Sequence, residues 1–208
     1  MIWLNEYIEF PNYNLTTKDG IIALGGDLSE ERLVHAYKNG IFPWFSEGDP
    51  IVWYCPFDRM VLFPGDLKVS KSMRKIIHKN EFKITENTAF EEVIYNCKNI
   101  NRNDGFGTWI TDEMEQAYIN LHKKGIAKSI EVWLDNQLVG GLYGVEVNSI
   151  FCGESMFSRV SNASKLAFIH LTKSNNYKLI DCQIYNKHLA SLGAKEIERD
   201  LFLEILKS

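Results

Sequence analysis

Three strand-like segments stand in series near the middle of the chain: SIEVWL, LVGGLYGVEV and SIFCGESMFS, spanning 129–158. Asp135-Asn136 and Asn148-Ser149 occupy the junctions, where tight hairpin turns are needed. Connections this short leave no room for a crossover helix, so the segments must pair antiparallel. Everything else in the chain has to pack against that meander.

The surrounding pattern is helical. Lys68–Lys79 reads as a basic helix, followed by a strand around Phe82–Ile84. A helix near 88–97 carries Phe90, Val93, Ile94 and Cys97 on one stripe, and another near 112–124 carries Met114, Ala117, Tyr118 and Leu121 before stopping at Gly125. After the meander the spacing predicts a helix over 163–173, a strand over 177–184, a short helix ending at Gly193 and a final helical turn. Helices flanking a largely antiparallel sheet make the fold class α+β. The first 60 or so residues differ, being rich in turns and large aromatics. There Ser29 N-caps a helix that runs to Asn39 and ends at Gly40.

Bulk properties exclude several classes. The chain has 208 residues, 45% hydrophobic and 24% charged, as in ordinary soluble proteins. No apolar run is long enough for a membrane span. MIWLNEYIEF carries acids where a signal peptide would be basic, which leads us to expect a cytoplasmic protein. Cys55, Cys97, Cys152 and Cys182 are too widely spaced for a metal motif or a disulfide scaffold, so reduced, mostly buried thiols are expected. The five histidines form no metal motif, and neither a P-loop nor G-x-G-x-x-G occurs, so no metal and no cofactor is expected. Gly-Glu-Ser-Met-Phe lacks the last glycine of a hydrolase elbow.

Three stretches could carry chemistry, and each admits two readings. The basic helix places Lys71, Arg74, Lys75 and His78 on one face, with Lys68 and Lys79 at its ends and no acid among them. It is either a solvated face or a phosphate-binding one, despite a net charge of -4 overall. In YKLIDCQIYN, strand alternation puts Leu179, Asp181, Gln183 and Tyr185 on one face. The Asp181–Gln183 pair is either satisfied by loop backbone or used to orient and deprotonate an amine. In FCGESMFSR, Glu154 sits within an apolar run. That run is either a strand with one wet edge or the wall of a pocket that reads a charged group. Alternation would put Glu154 with Cys152 and Met156, unless Gly153 introduces a bulge.

Taken together, GIIALGGDLSEERLVHAYKNGIFPWF, GTWI, LVGGLYGV, FCGESMFSR, NASK and LIDCQIYNKHLASLGA resemble the leucyl/phenylalanyl-tRNA–protein transferase family. The blocks keep the family's order from about Gly20 to the C-terminus, although the chain is short at both ends compared with many members. The resemblance implies a small N-terminal α/β domain (1–60) joined to a GNAT-type acyltransferase domain (61–208). It implies transfer of Leu or Phe, sometimes Met, from aminoacyl-tRNA to proteins with N-terminal Arg or Lys, marking them for N-end rule degradation. Aminoacyl-tRNA is already an activated ester, so the reaction needs no cofactor.

The site residues follow from the same resemblance. Asp181 and Gln183 match the family's Asp-x-Gln, with Gln183 orienting the amine and Asp181 giving electrostatic or base assistance. Glu154 is expected to meet a substrate amino group, and Ser155 to cap backbone or touch substrate. Leu142, Phe151, Met156, Leu171 and Ile180 would line or flank the pocket for the aminoacyl side chain. Leu142 and Leu171 stand where some relatives have Met and Phe. Trp44 and Trp109 would flank the aminoacyl group and the terminal adenosine, while Lys68, Lys71, Arg74, Lys75 and Lys79 would contact tRNA phosphates. The rivals are another acyl or aminoacyl transferase on the same fold and a non-catalytic tRNA-binding protein.

Overall fold

The computed structural model describes residues 1–100, 109–174 and 176–208. Gly107 and Thr108 of the GTWI block therefore lie outside the described residues. The turn-rich N-terminal segment builds a sheet of its own from β1 (Trp3–Leu4), β2 (Ile21–Gly25), β3 (Phe42–Pro43) and β4 (Val52–Tyr54), in the order β1-β2-β4-β3. Helix α1 (Glu30–Lys38) starts where Ser29 Oγ accepts from Arg32 N–H and stops before Gly40, whose φ of 69° suits a residue without Cβ.

A seven-stranded sheet comes next. Its strands are β5 (Asp58–Leu62), β6 (Lys83–Glu86), β7 (Ala127–Leu134), β8 (Gln137–Val147), β9 (Ile150–Ser158), β10 (Leu179–Gln183) and β11 (Lys195–Glu198), in the order β11-β5-β10-β9-β8-β7-β6. All neighbours are antiparallel except β9 and β10. The expected α+β class is borne out. Both predicted hairpin turns form with two left-handed residues each, Asp135 (φ 49°) and Asn136 (61°), then Asn148 (47°) and Ser149 (59°). That backbone twist matches the twist of the strands it joins.

Helices cover both faces of this sheet. On one side, α3 (Phe90–Asn99), α4 (Asp112–Lys123) and α7 (Arg199–Lys207) bury Phe90, Val93, Met114, Tyr118 and Phe202 against Val145, Cys152 and Phe157. The small sheet and α1 pack into the same core through Ile22, Leu33, Tyr37, Phe42 and Trp53. On the other side, α2 (Lys71–Lys79), α5 (Ala163–Lys173) and α6 (Lys187–Ser191) bury Met73, Leu166, Phe168 and Leu171 against Leu142, Phe151 and Ile180. Gly140 permits α5 to start directly above the sheet, since a Cβ there would lie 2.5 Å from that of Ala163.

Two local expectations are corrected. The chain ends as a strand and a nine-residue helix rather than a single helical turn. β11 is short and polar because it is the edge strand, whereas α7 is amphipathic and inserts Phe202, Leu203 and Leu206. Strand alternation also fails beyond Asp181. The pairing with β5 runs from Asp181↔Val61 to Gln183↔Met60 and skips Cys182, and Gln183 adopts φ 64°.

Candidate active site

The site opens where the two parallel strands separate. β9 and β10 pair from Ile150↔Leu179 to Cys152↔Asp181 and no further. Just beyond, both strands are irregular. On β9, Tyr143↔Ser155 is followed by Gly144↔Gly153, so Glu154 is an extra, bulged residue. The bulge reverses the facing of the residues after it: Cys152 belongs to the α3/α4 side, whereas Met156 packs on the α5 side. Glu154 therefore does not share a face with Met156.

A cavity of about 1010 Å³ occupies the gap. Its apolar end is walled by the buried Leu142, Phe151, Leu171 and Ile180 and the half-buried Met156. Trp44, which is 39% exposed, and the partly buried Trp109 also line it. The polar wall is Glu154, Ser155, Asp181 and Gln183. Every residue expected in catalysis or in the aminoacyl pocket thus borders one space, although they come from six separate segments of the chain.

Asp181 is not free. Its two carboxylate oxygens accept from Arg59 Nε at 2.8 Å and Nη2 at 2.6 Å, and both side chains are buried. Arg59 also donates to the Gly40 carbonyl at 3.0 Å and lies between the rings of Phe42 and Phe202, 4.7 and 4.6 Å from their centroids. Burial alone would lower the Arg59 pKa, but the Asp181 carboxylate outweighs it and holds the guanidinium above its usual range. Asp181 Oδ1 further accepts from the Gln183 backbone N–H at 2.9 Å. That bond pins the left-handed backbone of Gln183, an unfavourable conformation for a residue with Cβ. A carboxylate held by three donors is a rigid anchor for the groups that bind it.

Gln183 is thereby aimed at Glu154, and its Nε2 donates to Glu154 Oε1 at 2.7 Å. Tyr37 of α1 donates to Oε1 at 2.7 Å, and Tyr118 of α4 to Oε2 at 3.0 Å. Burial lifts the Glu154 carboxyl from 4.5 to about 7, against the opposing pull of those three hydrogen bonds and with a contribution from the Asp181 charge. A carboxyl that titrates there can take up or release a proton at neutral pH.

Arg59 and Tyr37 were not among the residues the sequence singled out, and Tyr118 was read only as part of the apolar stripe of its helix. A signal existed for the tyrosines, since both sit on the buried stripes of their helices, where a phenol oxygen needs a partner. The partner itself could not be read from a helix pattern. Arg59 gave no signal beyond its place ahead of an apolar run.

Helix α2 stands apart from the cavity. Met73 is buried while Lys71, Arg74, Lys75, His78 and Lys79 are exposed, as the amphipathic spacing requires; the helix starts at Lys71 rather than Lys68, which is exposed ahead of the Ser70 cap. Lys79 pairs loosely with Glu81 at 3.6 Å, and Arg74 Nε donates to the Val69 carbonyl. Cys55, Cys97 and Cys152 are buried and Cys182 is half-buried. Among the described residues, no three His, Cys, Asp or Glu side chains are grouped to hold a metal ion, and no helix is long and apolar enough to cross a membrane.

Comparison with known proteins adds to this geometry. Residues 61–207 match the family model described as leucyl/phenylalanyl-tRNA protein transferase, and residues 26–56 match the model for the N-terminal domain of the same family. A protein of Flavobacterium psychrophilum named leucyl/phenylalanyl-tRNA–protein transferase is 58% identical over 210 residues, covering 100% of both chains. One of the same name from Syntrophus aciditrophicus is 50% identical, covering 98% of this chain and 87% of its own. A GCN5-related N-acetyltransferase from Kribbella flavida superposes at a TM-score of 0.42 with 10% identity, covering 76% of this chain and 57% of that one.

Proposed function

Because the chain belongs to the leucyl/phenylalanyl-tRNA–protein transferase family, whose members move an aminoacyl group from tRNA to protein N-termini, we propose a division of labour among the residues of its cavity. The aminoacyl side chain enters the apolar end between Leu142, Phe151, Met156, Leu171 and Ile180. Trp44 and Trp109 hold the aminoacyl group and the terminal adenosine, where aromatic faces stack on a base. Lys68, Lys71, Arg74, Lys75 and Lys79 contact phosphates of the acceptor stem without reading sequence. The acceptor is a protein with an N-terminal Arg or Lys, the product is destined for N-end rule proteolysis, and the setting is the cytoplasm. We place the junction of the two domains between β4 and β5, at residues 55–57.

The chemistry centres on the acceptor amine, which has a pKa near 8 and must lose a proton to attack. Glu154 meets that amine, Gln183 orients it, and Asp181 serves as the Arg59-bound anchor of Gln183 rather than as the base. Ser155 lies beside Glu154 on the cavity wall and contacts substrate. The observation that carries this reading is the single cavity bounded by an apolar pocket at one end and the Glu154–Gln183 pair at the other. The test is incubation with leucyl-tRNA and a peptide beginning with Arg. Labelled leucine should appear on the peptide. Absence of transfer, or transfer only from an acyl-CoA, refutes the reading.

A further inference from the structure

Tyr37, Tyr118 and Glu154 touch one another pairwise. Tyr37 Oη lies 2.7 Å from Glu154 Oε1, Tyr118 Oη lies 3.0 Å from Oε2, and the two phenol oxygens are 2.5 Å apart. Oxygens that close require a proton between them. Each phenol owns one hydrogen. Burial, reinforced by the Glu154 charge, raises both phenols well above their usual range, so neither ionises. Three oxygen pairs need three protons, and the phenols supply two. With Glu154 ionised one pair is bare; with Glu154 protonated all three close. Since Gln183 Nε2 already donates to Oε1, the carboxyl proton belongs on Oε2. The bonds then run in one direction: Oε2–H to Tyr118, Tyr118 to Tyr37, and Tyr37 to Oε1.

We propose that Tyr37, Tyr118 and Glu154 form a closed hydrogen-bond ring that holds one exchangeable proton, and that this ring receives the proton lost by the acceptor's α-ammonium group. The second half rests on the transferase reading above. In the step, an N–H bond of the ammonium breaks, its electron pair stays on nitrogen as the attacking lone pair, and the proton adds to the Glu154 carboxylate. The amide C–N bond forms as the ester C–O bond breaks, and the departing ribose oxygen takes a second proton from the attacking nitrogen. The ring later releases its own proton to solvent. Glu154, which lines the cavity, is the catalytic residue; Tyr37 and Tyr118 act through it and are positioning residues.

The other groups around the ring are accounted for. Asp181 on β10 is bound to Arg59 of β5. Burial pushes up the thiols of Cys152 on β9 and Cys182 on β10, which stay protonated. Tyr143 of β8 packs edge-on against Tyr118, ring centroids 5.5 Å apart. Burial lifts Glu154 to about 7, and the hydrogen bonds that its ionised form accepts oppose that rise; the third bond of the ring, which closes only on protonation, acts with burial.

The experiment is a carboxyl titration, by infrared or 13C NMR spectroscopy, of the wild-type protein and of Glu154→Gln, Tyr118→Phe and Tyr37→Phe. The glutamine variant identifies the signal. Removing one phenol opens the ring, which deprives the acid of its closed cycle and frees the carboxylate of the bare oxygen pair. The Glu154 pKa should therefore fall by roughly half a unit to one unit, the worth of one net hydrogen bond. The acid limb of the kcat/KM profile should move to lower pH by the same amount. If the tyrosines were ordinary donors to a carboxylate, losing one would raise the pKa instead. A rise, or no change, in either folded variant overturns the ring, and if one variant does not fold the other decides. The titration is read without tRNA, so a failed transfer assay and a failed ring are separate results.

Discussion

Replacing Glu154 with Gln should make stability depend on pH in a way that can be worked out beforehand. In the folded protein the carboxyl titrates at about 7 against an ordinary 4.5. A raised pKa means that the folded state binds the proton more tightly than the unfolded chain does. Its contribution is fully present below pH 4.5 and is lost as pH rises through 7, because the unfolded chain ionises first. At 1.36 kcal/mol per pH unit the interval amounts to about 3 kcal/mol. That is a ceiling, since Glu154 is only half-buried on the wall of an open cavity. Glutamine keeps the shape, accepts from Gln183 and Tyr37 through its oxygen, and does not titrate. Urea unfolding of both proteins at pH 5, 6, 7 and 8 isolates the difference, because every other titrating group is common to the two. The variant should gain on the wild type by up to about 1 kcal/mol per pH unit between pH 5 and 7, then level off. With a urea slope of about 2 kcal/mol per molar, the midpoints should separate by a further 1 M or so. A difference independent of pH, or one that favours the wild type as pH rises, would refute the account of Glu154.

Four further outcomes are expected. Asp181→Asn should lower transfer while leaving tRNA binding nearly intact, whereas Arg59→Met, which strands a buried carboxylate, should cost about 3–5 kcal/mol of stability in urea unfolding; full stability in Arg59→Met would show that Asp181 is not held as described. Neutralising Lys71, Arg74 and Lys75 together should weaken tRNA binding and reduce the log–log salt slope by about 2–3. An unchanged slope would return α2 to a merely solvated face. Trp44→Ala and Trp109→Ala should each weaken binding of an aminoacyl-adenosine analogue by about 1–3 kcal/mol, read by calorimetry, and unaltered affinity in both would remove them from the substrate site.

What the amino-acid sequence determined by itself was local. Ser29 caps the helix that begins after it, and Asp135-Asn136 and Asn148-Ser149 turn the hairpins of the central meander. These depend on residues within a few positions of one another, whose preferences act whatever the rest of the chain does. Motif resemblance carried the pocket residues as well, and all of them border one cavity. Short pieces that depend on a neighbouring strand, such as β5 and β11, escaped notice because their own patterns are weak. Tertiary structure alone decided how the polar wall is wired. Arg59 and Asp181 are 122 residues apart, Tyr37 and Glu154 117, and Tyr37 and Tyr118 81. The bulge at Glu154 and the left-handed Gln183 arise where two parallel strands part. There the ladder ends, and backbone and side chains settle their hydrogen bonds with partners brought from elsewhere. A buried carboxylate announces that it needs such partners, but only the folded chain, by closing long loops around a shared core, supplies them.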